Sequence, residues 1–272
     1  MSDTAPLSRL DGKVAIVTGA AQGIGEATAR LFAERGIAGL LLTDRNEEKG
    51  RAVTRSLYEQ GTRAELLVAD LADPAQVARV VPATERVFGR LDILCNIAGS
   101  TERGSILNTD QALFDRIFAI NVRAPFFLMQ DAARLMRRLK SGGAIVNVAS
   151  VNAHGGAAFL APYSASKAAL SNLTKNTAGA LNWDRIRVNG ILPGWVDTPG
   201  EHQIQREAHG SGDDWLEAAE KGRPFGRLVK PDEIARAIAY LASPESGIMT
   251  GALLDFDQMV PGTFSTAGPI DG

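Results

Sequence analysis

Cysteine is almost absent: Cys95 is the single example in 272 residues. One thiol cannot close an intrachain disulfide, which excludes a disulfide-stapled secreted framework. Long apolar runs are also missing. No stretch approaches the ~20 apolar residues of a membrane-spanning helix, so no membrane partner is expected. Charge of one sign is not in excess. The chain carries 29 basic and 31 acidic residues for a net charge of −2, and no basic block gathers to neutralise phosphates. Nucleic acid is therefore not an expected partner. The three histidines, His154, His202 and His209, have no spacing that resembles a metal site, and no catalytic metal is expected. The opening Met1–Pro6 lacks a basic start followed by an apolar run, so the expected location is cytoplasmic.

What is present is a repeated order: a short apolar run, a Gly or Asp, then a helical period. Apolar runs at Lys13–Thr18, Ala38–Thr43, Ala64–Ala69, Asp92–Ile97, Gly143–Ala149, Ile186–Leu192 and Ala252–Phe256 read as strands. Helical spacing covers Gly23–Arg35, Glu47–Glu59, Pro74–Phe88, Asp110–Leu139, Tyr163–Leu181 and Pro231–Ala242. The strands are apolar throughout rather than alternating, as a sheet buried on both faces requires. Strand–helix alternation with short links implies right-handed crossovers and parallel strands. The expected fold is α/β: one doubly wound parallel sheet of about seven strands, helices on both faces, in a Rossmann-like three-layer arrangement. No linker divides the chain, so residues 1–272 read as a single domain. Gly200–Gly222 shows no firm pattern, and the tail after Pro261 is small and irregular. Within that domain, residues 196–225 read as a mobile lid over a substrate.

The first strand runs into Thr18-Gly19-Ala20-Ala21-Gln22-Gly23-Ile24-Gly25. Glycines there let the backbone turn tightly and approach a pyrophosphate, and the helix that follows offers free N–H groups. Asp44 ends the second strand, 19 residues after Gly25. A carboxylate at that place accepts ribose hydroxyls and repels a 2′-phosphate, which favours NAD over NADP. Arg45, beside it, is able to pair with that phosphate, and Asp44 also suits a helix cap. Asp70, followed by Leu71, ends the third strand. Asp73 before Pro74 is the better cap, which leaves Asp70 to face the cofactor.

Thr-Gly-x-x-x-Gly-x-Gly, Asn96 in the fourth strand, Ser150, Tyr163-x-x-x-Lys167 and Pro193-Gly194 occur in that order. The pattern resembles the short-chain dehydrogenase/reductase family over about Leu10–Phe256. The resemblance implies that Gly19, Gln22, Gly23, Ile24 and Gly25 contact the dinucleotide. It implies the same of Asp44, Arg45, Asp70, Leu71, Asn96, Ala98 and Gly99. Pro193, Gly194, Val196 and Thr198 would hold the nicotinamide end. Ile97 departs from the family's second Asn and bears on a hydrogen bond between central strands. The resemblance also implies that Asn121 holds a proton-relay water leading from Lys167, and that the protein is a homotetramer. Its interface is expected on the apolar faces of the Asp110–Leu139 and Tyr163–Leu181 helices.

The chemistry of the residues agrees. Alcohol oxidation needs a base for the hydroxyl proton and a cofactor for the hydride. Tyr163 and Lys167 share one helix face. A free tyrosine titrates near ~10, and a neighbouring cation lowers that value. Ser150, 13 residues upstream at a strand end, would donate to the substrate oxygen; it also suits a turn cap. Asn152, His154 and Trp195 are candidate substrate contacts, and Glu201 and His202 are further polar candidates. Cys95, inside an apolar strand, reads as core. The expected activity is hydride transfer between NAD(H) and a secondary alcohol or ketone, with a sugar, polyol or other oxygenated small molecule as substrate. The alternatives are an NADPH-dependent 3-oxoacyl or ketone reductase and a non-catalytic dinucleotide sensor.

Overall fold

The computed structural model describes residues 7–263. The first six residues and the end of the irregular tail lie outside the described residues. Seven parallel strands make one sheet in the order β3-β2-β1-β4-β5-β6-β7. They are β1 (Val14–Thr18), β2 (Gly39–Asp44), β3 (Ala64–Val68), β4 (Ile93–Asn96), β5 (Gly143–Val148), β6 (Ile186–Pro193) and β7 (Leu253–Phe256). Each expected strand lies within one residue of the observed one at either end. The chain builds outward from β1 to β3, returns to β4 beside β1, then builds outward to β7. That reversal opens a crevice at the C-terminal ends of β1 and β4, where such sheets take ligands.

The uniformly apolar strands are buried from both sides, and each face has its own core. On one face Phe32 of α1 (Gly23–Glu34) packs with Ile234 and Ile238 of α10 (Pro231–Ala242). On the other, Val80 of α4 (Val80–Phe88) packs with Leu128 and Met136 of α6 (Ala124–Leu139). The remaining helices are α2 (Glu47–Glu59), α3 (Pro74–Val77), α5 (Gln111–Phe118), α7 (Ala161–Leu181), α8 (Pro199–His209) and α9 (Trp215–Lys221).

Three expectations need correction. The span 74–88 is two helices, because the chain steps at Ala78–Arg79 between α3 and α4. The long helix 110–139 is interrupted by a π-helical turn at Ala119–Arg123; such turns frequently mark functional sites. The supposedly patternless 200–222 holds α8 and α9. Thr198 caps α8 by accepting from Glu201 N at 3.1 Å, and Pro199 opens it. Only Gln205 of α8 is buried, so its sequence carries no apolar stripe to read. Cys95 lies in the core as expected, fully buried; burial pushes its thiol pKa up.

Candidate active site

The phosphate loop after β1 needs its glycines. Gly19 and Gly23 have φ of 66° and 57°, values that L side chains rarely adopt. A Cβ on Gly19 would lie 2.9 Å from Ala98 Cα, and one on Gly25 would lie 2.0 Å from Gly19 O. The loop is therefore pressed against the start of the β4 exit. Thr18 Oγ1 fixes that contact by accepting from Ile97 N at 2.9 Å and Ala98 N at 3.0 Å. Gln22 precedes α1 without a side-chain cap, so the first-turn N–H groups are not taken by it. Gln22 Oε1 instead accepts from Lys49 Nζ at 2.9 Å. Ile24 packs partly against the core. This tight, uncapped cradle fits a dinucleotide pyrophosphate.

Asp44 stands at the rim of the same loop. It accepts from Ala21 N at 3.1 Å and Asn46 N at 2.9 Å. Asn46 is the cap of α2, so Asp44 is not. Arg45 is exposed beside it. Asp70 is exposed, its carboxylate accepting from Ala72 N, while Asp73 caps α3. The Leu71 side chain belongs to the core. Asn96 is also buried: its Nδ2 donates to Asn147 Oδ1 at 2.8 Å across β4 and β5. The central strands are thus tied by side chains even with Ile97 in the next position. At the far side, Pro193 ends β6 and Gly194 leaves it. Val196 is buried and pairs with Val229. Thr198 closes on the phosphate loop, its Cγ2 3.4 Å from where a Cβ on Gly23 would stand.

Between these walls lie Ser150, Tyr163, Lys167 and Asn121, all nearly or fully buried. Ser150 ends the β5 exit and accepts from Asn152 N and Asn152 Nδ2, both at 3.2 Å. It therefore caps a turn and neighbours Tyr163 at once, and Asn152 holds Ser150. Lys167 Nζ donates to Val148 O at 2.8 Å. It sits 5.7 Å from the Tyr163 ring centre. Burial pushes the Lys167 ammonium down to about 8. Burial likewise raises the Tyr163 phenol; Ser150 and Arg103 oppose that rise and Glu201 adds to it. The net direction is upward, opposite to the lowering expected from Lys167, because removing the phenolate from water outweighs the neighbours. Asn121 sits in the π-helical turn. Its Oδ1 accepts from Ser100 N, and its Nδ2 donates to Ser100 O and Ser166 Oγ, all within 2.9 Å. A Cβ on Gly99 would meet both Lys167 Nζ and Asn121 Oδ1, at 3.2 and 3.3 Å. Gly99 thus keeps open the space between them.

The family model described as Enoyl-(Acyl carrier protein) reductase matches residues 19–258, nearly the whole of this architecture. The chain belongs to the short-chain dehydrogenase/reductase family. An "uncharacterized oxidoreductase" of Thermotoga maritima is 38% identical over 90% of this chain and 96% of its own. The galactitol 2-dehydrogenase of Agrobacterium fabrum is 36% identical over 92% and 97%. The solved structure of a gluconate 5-dehydrogenase from Burkholderia cenocepacia, in complex with NADP and tartrate, superposes with a TM-score of 0.83. It is 32% identical and covers 93% of this chain and 97% of that one. The protein is thus an oxidoreductase that moves a hydride between a nicotinamide dinucleotide and a CH–OH or keto group.

The candidate substrate contacts of this dehydrogenase/reductase turn to different partners. His154 turns to β7, its Nε2 2.8 Å from Asp255 Oδ1, and stays exposed. Trp195 turns to the first turn of α8, donating from Nε1 to Glu201 at 3.0 Å. His202 is held between Asp197 and Trp215. Sequence reasoning passed over Arg103 and Phe159, which reach the site from the loops after β4 and β5. Neither sits in a motif, and only tertiary contact brings them together. No helix among the described residues is long and apolar enough to cross a membrane. No cluster of three or more His, Cys, Asp or Glu suited to a metal occurs among them.

Proposed function

We propose that this enzyme oxidises a secondary alcohol of an oxygenated small molecule, a sugar or polyol, with NAD as acceptor. The observation that carries the reading is the buried grouping of Tyr163, Ser150 and Lys167 at the crevice, with Asp44 fixed at the rim of the phosphate loop. A bound nicotinamide supplies the hydride acceptor. Ser150 Oγ donates to the substrate oxygen and stabilises negative charge that develops there. Tyr163 Oη takes the hydroxyl proton. Lys167, fixed by Val148 O, holds positive charge behind the tyrosine ring. Asn121, rigid between Ser100 and Ser166, belongs to the relay that carries the proton from Lys167 outward.

Asp44 supports NAD, since a 2′-phosphate there would meet a carboxylate. Gly19, Gln22, Gly23, Ile24 and Gly25 would cradle the pyrophosphate, and Pro193, Gly194, Val196 and Thr198 the nicotinamide end. The similarity to a galactitol 2-dehydrogenase supports a polyol. Exposed Arg45 favours a second reading, NADPH-driven ketone reduction, because a guanidinium can pair with the 2′-phosphate. A homotetramer is part of the same reading.

The test is initial-rate NADH formation across sugars, polyols, hydroxysteroids, diols and simple secondary alcohols, repeated with NADP. NAD-dependent oxidation of a polyol or sugar is the expected result. Turnover confined to NADPH and ketones supports the second reading and overturns the first.

A further inference from the structure

Two charged side chains outside every motif, Arg103 and Glu201, pair with each other within electrostatic reach of Tyr163. Arg103 follows β4, and its neighbour Gly104 is stitched to the approach of α7. Gly104 N donates to Phe159 O and Ala161 N donates to Gly104 O, both at 2.9 Å. That places Arg103 against the segment that delivers Tyr163 two residues later. Glu201 stands in the first turn of α8. Its Oε1 accepts from Arg103 Nη2 at 3.1 Å, Trp195 Nε1 at 3.0 Å and Gln205 Nε2 at 2.7 Å. Among the described residues, no hydrogen bond reaches its Oε2.

Arg103 also donates from Nε to His209 Nε2 at 3.1 Å and from Nη1 to Thr101 O at 2.9 Å. Three of its five N–H groups are engaged, and one on each Nη is spare. Its guanidinium lies 5.8 Å from the centre of the Phe159 ring. The pair is largely desolvated, with the Arg103 side chain 17% exposed and that of Glu201 12%. Both charges are felt by the Tyr163 phenol, in opposite senses.

We propose that Arg103 and Glu201 are the specificity-determining pair of the substrate pocket and read a second hydroxyl beside the carbinol that Tyr163 deprotonates. The substrate class is a neutral diol or polyol. This rests on the oxidoreductase reading above and adds its recognition element. The reasoning is a matter of spare valence. The intact pair has no net charge and offers one acceptor, Glu201 Oε2, beside spare Arg103 donors. A hydroxyl satisfies both by donating to the first and accepting from the second. A carboxylate on the substrate would face Glu201, and an ammonium would face Arg103. A plain alcohol would exclude water from Oε2 and leave it without a donor, a penalty that sites built for a hydroxyl impose on analogues lacking it.

The experiment compares kcat/KM for butane-2,3-diol against butan-2-ol and cyclohexane-1,2-diol against cyclohexanol, with NAD and with NADP. The wild-type enzyme should favour each diol by at least about tenfold. Glu201→Gln should bring both ratios to near one. Each ratio is taken within one protein, so a partial loss of fold cancels. The pH profile supplies a readout that a purely structural role would not move. Glu201→Gln should shift its midpoint down, Arg103→Gln should shift it up, and Arg103→Lys should restore it. A wild-type enzyme that turns over each alcohol as well as its diol overturns the inference and leaves the oxidoreductase reading standing. So does a diol preference that survives in Glu201→Gln, or midpoints that move together or not at all. No turnover of any of the four alcohols with either dinucleotide counts against both.

Discussion

Tyr163 is raised above its ordinary value chiefly by burial, so the phenolate is the minor form near neutrality. The sign follows directly. Alcohol oxidation needs the phenolate as base and should speed up as pH rises from about 6 to about 9. Ketone reduction needs the phenol, which stays the major form throughout, and should change little over the same range. An oxidation rate that stays flat would remove Tyr163 from the proton-transfer step. Tyr163→Phe should keep NADH affinity nearly intact, read by fluorescence titration, and lower turnover by about 10²–10⁴. Retained turnover would count against the assignment. Asp44 allows a separate test of cofactor choice. Its carboxylate is anchored by Ala21 N and Asn46 N, so it stands in place before any ligand arrives. Asp44→Ala should weaken NAD and narrow its advantage over NADP. An unchanged ratio of the two kcat/KM values would show that Asp44 only braces the loop.

The elements around the crevice are held by their ends. The first turn of α10 is the clearest case. Glu233 accepts from Lys230 N at 2.8 Å and takes both Arg227 terminal nitrogens, at 2.7 and 2.8 Å. Arg227 holds its carboxyl down at about 2. The unfolded chain titrates near ~4.3, so the stabilisation is complete above that pH and lost as pH falls through the folded value. Glu233→Gln should cost about 1 kcal/mol near neutrality by urea denaturation, a modest figure because Arg227 is solvated. The difference between the two proteins should shrink towards acid; a gap that stays constant with pH would place the effect in packing. At this scale the sequence was readable wherever an apolar stripe or apolar run existed, as in α1, α10 and every strand. It was not readable in α8, whose single buried residue is Gln205. Nor did it show the π-helical turn, since Ala119–Arg123 continues the helical spacing on both sides while shifting the phase that aims Asn121 inward.

For the whole molecule, the strand order decides where chemistry is possible. β1 and β4 diverge in connection but pair in space, which brings the phosphate loop, Gly99 and the Ser150 turn to one crevice. The outer face of α5 and α6 leaves Phe114, Phe126 and Phe127 about two-fifths exposed. Phe126 and Phe127 meet edge to face at 5.2 Å. This is the face expected to carry a subunit contact, and light scattering should read four chains. Phe126→Asp combined with Phe127→Asp should yield a smaller species. A monomer in the unmodified protein would end the tetramer reading.

The sequence by itself determined the αβ alternation, the buried parallel strands, and the order Gly19, Asp44, Ser150, Tyr163, Lys167. Those rest on local periodicity and on motifs within a few residues, where short-range sterics and helix geometry suffice. Tertiary structure alone decided that His154 turns away to Asp255 and that Arg103 meets Glu201. Each of these two contacts joins side chains about a hundred residues apart. Only the burial of a shared core fixes such partners, because no local preference along the chain distinguishes one distant charge from another.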